Sequence, residues 1–161
     1  MPAGSSAARI LAAFRREQWP VYHVQHISQQ PGATFFLPAS TGAEIHEAVR
    51  PLAGEPIIIK HYPNSFRDTD LLERFKADDI GSLLICGMMS HMCVDATVRA
   101  AFDLGFTCIL AHDACATKEL TFNGVTVPVA HVHSSYMAAL GTVCAQVKSV
   151  DEILENIAAT I

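Results

Sequence analysis

Short runs of aliphatic and β-branched residues alternate along this chain with segments whose apolar residues recur at helical spacing. The short runs are typical of buried strands, and the longer periodic segments are typical of amphipathic helices. The predicted strands are Val21–His26, Pro56–Lys60, Ser82–Cys86, Phe106–Ala111 and Gln146–Lys148. The predicted helices lie around Ala7–Phe14, over Asp70–Ala77, His91–Leu104 and Pro128–Leu140, and from Ser149 onward. This alternation predicts βαβ units, and so a three-layer α/β sandwich with a mostly parallel sheet.

Composition excludes several classes of function. A net charge of −5 without a run of Lys or Arg argues against nucleic-acid binding. No apolar stretch approaches the roughly 20 residues that a membrane span requires, and the first residues lack the features of a signal peptide. Five cysteines without regular spacing favour free thiols in a reducing compartment. We therefore expect residues 1–161 to form one cytoplasmic domain.

The candidate chemistry lies at the carboxyl ends of two predicted strands, where parallel α/β sheets bind ligands. Cys93 falls near the start of a helix for which Ser90 is a plausible N-cap, and the helix dipole there favours a thiolate. Unpaired N–H groups of the same turn can hold an oxyanion. Lys60 ends a neighbouring strand and is the candidate activating charge. The structural alternatives are that Cys93 is a small buried side chain and that Lys60 marks where its strand meets water.

Three ordered blocks then point to a family. Lys60–Phe66 resembles the block of the isochorismatase-like cysteine hydrolases that runs from a lysine to a Ser and a Phe. Gly87–Thr97 resembles the nucleophile turn of that family, and His112–Thr117 resembles its following strand end. The resemblance extends from about residue 8 to the C-terminus. It implies the isochorismatase-like hydrolase fold, which is Rossmann-like.

The same resemblance implies a Cys–Lys–Asp triad that hydrolyses a small amide or related acyl compound through a thioester, without a cofactor. Cys93 would be the nucleophile and Lys60 would hold the charges. The backbone N–H groups of Met89 and Cys93 would form the oxyanion hole, beside a cis peptide between Met88 and Met89. A homo-oligomer is also expected.

The sequence departs from the family where the triad aspartate belongs. The family carries it on a first strand of the Ile/Leu/Val-Asp-x-Gln type, between the strands that match Val21–His26 and Ser82–Cys86. No such strand precedes the first predicted helix. The explanations are a protein start that lies before Met1, a strand supplied by a partner chain, or a paralogue that has lost catalysis and binds or assembles instead. The first is favoured because the blocks around Lys60 and Cys93 are intact.

Two expectations follow from this departure. Each buried backbone group left unpaired costs about 1–3 kcal/mol, so the facing edges of Val21–His26 and Ser82–Cys86 should be paired in a folded structure. Neither nearby aspartate is expected to replace the missing one. Asp113 ends a strand beyond the Cys93 helix, and Asp95 is better placed to pair with Arg99 at i+4.

The histidines of the sequence do not predict a metal site. Eight histidines suggest a metal site, but His23 and His26 face opposite sides of a strand, and His131 and His133 diverge on a helix, so we expect no metal.

Three further side chains are candidate substrate contacts: His91, Phe35 and Phe36. For His91 the alternative is a solvated residue at the helix start. For Phe35 and Phe36 the alternative, slightly favoured, is a subunit contact, because adjacent exposed apolar residues usually meet a partner.

Overall fold

The computed structural model describes residues 2–159 and contains seven strands and five α-helices among them. The strands are β1 His23–His26, β2 Ile57–Lys60, β3 Ser82–Met88, β4 Thr107–Ala116, β5 Leu120–Phe122, β6 Val125–Val127 and β7 Gln146–Lys148. The helices are α1 Pro2–Arg16, α2 Leu71–Ala77, α3 Asp95–Asp103, α4 Val129–Val143 and α5 Val150–Ala159. Each of the ten predicted elements is therefore present, with ends that differ by a few residues.

Helices cover both faces of the strands β3 and β4, which agrees with the three-layer α/β architecture. Alternate residues of a strand point to opposite faces. On one face, Leu83 and Leu110 pack in apolar clusters with side chains of α2, α3 and α4. On the other, Leu84 and Ala111 pack against α1 and α5.

The parallel strands form two separate ladders. β1 pairs with β2, while β3, β4 and β7 form a second parallel sheet in that order. Among residues 2–159, no strand pairs with the second edge of either β1 or β3. The two strands therefore do not close on each other, and α1 and α2 pack across the two ladders instead. Pairing of these edges with a segment before Met1 or with a partner chain stays a prediction.

One bridge is a half-buried ion network between α1 and the first ladder. The Arg15 guanidinium donates to both carboxylate oxygens of Glu55 at 2.7 Å, and it also donates to the Arg50 carbonyl. The same carboxylate accepts the Leu52 N–H at 2.8 Å and lies 2.8 Å from His23 Nε2. These contacts, led by the bond to Arg15, lower the pKa of Glu55 to about 2. The carboxylate thus fixes the end of α1 to the start of β1 and to the segment that leads into β2.

Local capping and turn chemistry agree with the sequence at several helix ends. Ser149 and Glu152 form the predicted capping box at the start of α5, with mutual hydrogen bonds of 2.7–3.3 Å. Gly105 ends the α3 segment with a φ of +92°, a conformation that glycine adopts without strain. The predicted Asp95–Arg99 pair is present at 2.9 Å.

Two features of the fold were not predicted from the sequence. β5 and β6 form an antiparallel hairpin between β4 and α4, with Asn123 and Gly124 in its turn at positive φ. The Asn-Gly pair is a known hairpin signal that the sequence analysis did not use. The predicted helix at 91–104 begins instead with a π-helical turn, Ser90–Val94, before α3. In the part of the chain that the structure describes, no helix is long and apolar enough to span a membrane.

We expect Glu55→Gln to lower the free energy of unfolding at pH 7 by about 1–3 kcal/mol, because a half-buried ion network would lose its charge. Since the folded pKa of Glu55 lies below the unfolded value, the carboxylate stabilises the fold above about pH 4.5. That stabilisation is lost as pH falls toward 2. Urea unfolding of wild type and variant at several pH values measures this difference.

The matched control is Glu73→Gln, which changes an exposed carboxylate on α2. A destabilisation by Glu55→Gln that stays constant between pH 7 and pH 2.5 would contradict the role of the charge.

Candidate active site

Lys60 is a buried ammonium group at the carboxyl end of β2. Its side chain is 4% exposed, and Nζ donates to the Pro63 carbonyl at 2.6 Å and to Ser65 Oγ at 3.1 Å. Burial lowers the pKa of Lys60, and the neighbouring Cys93 sulfur acts in the opposite direction by favouring the charged form. An ammonium has three N–H donors, so two are engaged by the following loop and the third is available toward the thiol.

A hydrogen-bond chain joins the Lys60 loop to the helix that carries Cys93. Ser65 Oγ lies 2.9 Å from Thr97 Oγ1, and the Ser65 N–H donates to the same oxygen at 3.1 Å. Thr97 Oγ1 also lies 3.4 Å from the Pro63 carbonyl. Thr97 follows Cys93 by four residues, one helical turn, so it lies on the same side of the helix. The distance between the lysine and the cysteine is thereby set by direct bonds between their two elements.

Cys93 lies in the π-helical turn that opens the segment leading into α3. The turn follows β3 through a cis peptide bond between Met88 and Met89, as the resemblance implied. The Met89 carbonyl accepts the N–H groups of Met92 and Val94 at 3.0 and 3.2 Å, which closes the turn around Cys93. Such a turn presents backbone N–H groups at the start of a helix, where anionic sulfur or oxygen is stabilised.

Ser90 does not cap this helix, which corrects a prediction. The position before the turn is Met89, and it makes no side-chain cap bond. Ser90 is completely buried, with Oγ bonded to the Ala116 carbonyl at 3.3 Å and to His133 Nδ1 at 3.0 Å. Its hydroxyl therefore attaches the nucleophile turn to the end of β4 and to α4.

His91 is buried rather than solvated at the helix start. Its Nδ1 lies 2.5 Å from Thr117 Oγ1, and its ring lies edge-on to Tyr136. Burial, followed by the positive charge of Lys118, lowers the pKa of His91.

Phe36 lies next to the strand end that carries Lys60, whereas Phe35 is 61% exposed. The Phe36 ring stacks on His26 with centroids 5.2 Å apart, and Phe35 contacts Phe36 edge-on. His26 is the register partner of Lys60, so the two side chains leave the β1–β2 ladder on the same face.

His26 Nδ1 is buried without a hydrogen-bond partner among the described residues. Burial lowers the pKa of His26, with a further lowering from the charge of Lys60.

The carboxylates of Asp95 and Asp113 are both bonded to groups outside the Lys60–Cys93 pair. Asp113 Oδ1 accepts the Val150 N–H at 2.8 Å, at the start of α5. Asp95 pairs with Arg99. Neither supplies a carboxylate to the Lys60–Cys93 pair, as the sequence predicted.

Cys144 is half-buried like Cys93, whereas Cys108 and Cys115 are buried. Cys86 belongs to the unpaired edge of β3 and is exposed. Burial raises the pKa of Cys115 to about 12 and also raises that of Cys108. Within residues 2–159, no three His, Cys, Asp or Glu side chains converge as metal ligands.

The structure thus brings Lys60 and Cys93 together, with Met89 at the start of the same turn. It adds three residues whose roles sequence reasoning missed: Ser65, Thr97 and His133. Ser65 and Thr97 stand within the family blocks, but nothing in the sequence showed that they bond to each other. Nothing in the sequence indicated a role for His133, because its partner Ser90 is 43 residues away.

Comparisons with known proteins agree with this geometry. A sequence profile of the isochorismatase domain matches residues 4–135. The isochorismatase family protein YddQ of Bacillus subtilis is 48% identical over 153 residues, which cover 95% of this chain and 85% of that protein. A streptothricin hydrolase of Streptomyces noursei is 37% identical over 111 residues, covering 69% of this chain and 40% of that protein.

A crystal structure from Oleispira antarctica, of a protein named for the isochorismatase hydrolases, superposes with a TM-score of 0.91 at 50% identity. The match covers 96% of this chain and 81% of that one. Sequence profile, relatives and structure agree: the chain belongs to the isochorismatase family of hydrolases.

Proposed function

We propose that this chain is a cysteine hydrolase that cleaves a small amide or related acyl compound through a thioester on Cys93. The observation that carries the proposal is the buried ammonium of Lys60 beside the Cys93 thiol. A buried cation is costly unless it has a partner, and a cationic neighbour stabilises a thiolate. The arrangement therefore suits nucleophilic catalysis better than packing.

The reaction proceeds in two stages. The Cys93 sulfur bonds to the carbonyl carbon, the C–N bond breaks, and the amine leaves with a proton. Water then adds to the thioester carbon, the C–S bond breaks, and the carboxylic acid is released. Negative charge develops on the carbonyl oxygen in both stages, and the backbone N–H groups of Met89 and Cys93 are the proposed donors that stabilise it. No cofactor takes part in these steps.

The scheme requires one further group that none of the described residues, 2–159, supplies. A group must take the thiol proton and return it to the leaving amine. The family resemblance assigns this role to an aspartate on a strand between the β1 and β3 edges. Those edges are the ones that lack a strand partner among the described residues. We propose that the active enzyme has an aspartate-bearing strand in this position.

The proposed substrate class is a small amide or related acyl compound. The streptothricin hydrolase relative favours a hydrolysable small molecule, and the site offers aromatic and polar contacts. Phe36 and His91 are the proposed substrate contacts close to Lys60 and Cys93. Phe35 is exposed, which keeps a subunit contact in a homo-oligomer as its alternative role.

The second candidate function is a binding or assembly protein without catalysis. The lack of a carboxylate beside the Lys60–Cys93 pair within residues 2–159 favours it. Intact mass measurement of the natural protein separates the two candidates. An additional N-terminal segment that contains an Ile-Asp or Leu-Asp strand supports the enzyme, and a mature chain that starts at Met1 supports the binding protein.

We expect iodoacetamide to label Cys93 first when the native protein is titrated near pH 6.5. Lys60 and the helix start favour its thiolate, whereas burial raises the pKa of Cys108 and Cys115. Peptide mapping after partial alkylation measures the order of labelling, and Cys93→Ser is the control. Preferential labelling of any other cysteine would falsify the assignment.

We expect Lys60→Met to lower the alkylation rate of Cys93 at pH 6.5 by about tenfold or more, since an adjacent cation promotes the thiolate. Methionine approximates the volume of lysine without its charge, and the Pro63 carbonyl and Ser65 Oγ each lose one donor but keep Thr97 as a partner. The melting temperature should therefore fall by only a few degrees.

Lys76→Met, an exposed lysine on α2, is the control for this experiment. A Lys60→Met protein that melts much earlier but keeps wild-type alkylation would make Lys60 a structural residue and the dyad wrong.

A further inference from the structure

His133 on α4 lies outside the family blocks, and its side chain is hydrogen-bonded to the nucleophile turn. Its Nδ1 lies 3.0 Å from Ser90 Oγ, three residues before Cys93. Ser90 is fully buried, so its hydroxyl has no access to water and depends on protein partners.

The donors and acceptors of this contact define the state of the imidazole. Ser90 Oγ–H has a single proton and donates it to the Ala116 carbonyl, 3.3 Å away, which can only accept. With that proton directed to the carbonyl, we assign the bond to His133 as running from the ring to Ser90, with Nδ1–H as donor. Burial, followed by the charge of His112, lowers the pKa of His133, which favours a neutral ring.

The position of Ser90 makes this contact relevant to the reaction. Ser90 stands between the two proposed oxyanion donors, the N–H groups of Met89 and Cys93. Its side chain is bonded to β4 and α4, while the Met89 carbonyl closes the turn itself. A second bond, from His91 to Thr117, attaches the same turn to the end of β4. A shift of Ser90 would therefore move both donors and the sulfur relative to Lys60.

We propose that His133 is a positioning residue of the hydrolase site, which holds the nucleophile turn through an Nδ1–H bond to Ser90. This inference rests on the proposed function, because it assigns His133 a role in the chemistry of Cys93. His133 acts through Ser90 and has no direct contact with the reacting atoms in this assignment.

The test is a matched pair of variants at position 133. Asparagine and leucine have the same number of side-chain heavy atoms and the same branching, but only asparagine places an N–H donor where Nδ1 stands. The probe is iodoacetamide at pH 6.5, and the readout is the alkylation rate of Cys93 relative to its rate in the urea-unfolded protein. A positional error of 1 Å can cost about a hundredfold in a reaction, so a smaller displacement should lower the ratio by about tenfold.

We expect His133→Leu to show this loss and His133→Asn to stay within about twofold of wild type. The control is His131→Leu, which alters an exposed histidine two residues earlier on α4 and should leave the ratio unchanged. Melting temperatures of all variants separate the loss of position from a general loss of folding.

Three outcomes would overturn the inference: equal ratios for His133→Leu and wild type, equal losses for His133→Asn and His133→Leu, or a loss that scales with melting temperature across all variants. If wild-type Cys93 is no more reactive than in the unfolded protein, the proposed function fails first. If Cys93 is alkylated faster in the folded protein but its rate does not respond to the variants at position 133, only the positioning role of His133 is refuted.

Discussion

A buried ammonium group must be hydrogen-bonded, and the site of this protein is organised around meeting that requirement for Lys60. Pro63 and Ser65 accept two of its N–H groups, and the third is available toward Cys93. Because Ser65 is also bonded to Thr97, satisfying the lysine fixes the helix that carries the cysteine. The same bonds that make the burial of Lys60 tolerable therefore define the spacing of the proposed catalytic pair.

The division of the parallel strands into two ladders places a second demand on the fold. Lys60 belongs to the β1–β2 ladder and Cys93 follows the β3–β4–β7 sheet. Between them, residues 2–159 supply no continuous backbone pairing. Contacts made by helices fix the relation instead, through the apolar cluster around α2 and the Glu55 network at the end of α1. The precision of the site thus depends on elements that contribute no reacting group.

Much of this arrangement could be predicted from local sequence. Hydrophobic periodicity gave every parallel strand and every α-helix, because the burial of one face imposes a period that the residues must follow. The i+4 spacing of Asp95 and Arg99 gave their ion pair, and Ser149 with Glu152 gave a capping box. The family blocks around Lys60 and Cys93 gave the candidate site, whose two side chains the structure brings together. The π-helical turn at Ser90–Val94 was not predicted, since helical periodicity alone does not distinguish the opening turn of a helix from its continuation.

By itself, the sequence determined the parallel strands, the α-helices and the candidate reactive groups, because each depends on neighbours within a few positions. Only the tertiary structure decided which of those groups meet. Ser90 contacts His133 across 43 residues, and Ser65 contacts Thr97 across 32. It also decided that Glu55 and Arg15, 40 residues apart, hold the first ladder to α1. Such pairs leave no local pattern, since a hydrogen bond between distant residues depends on how whole elements pack and not on the spacing of side chains along the chain.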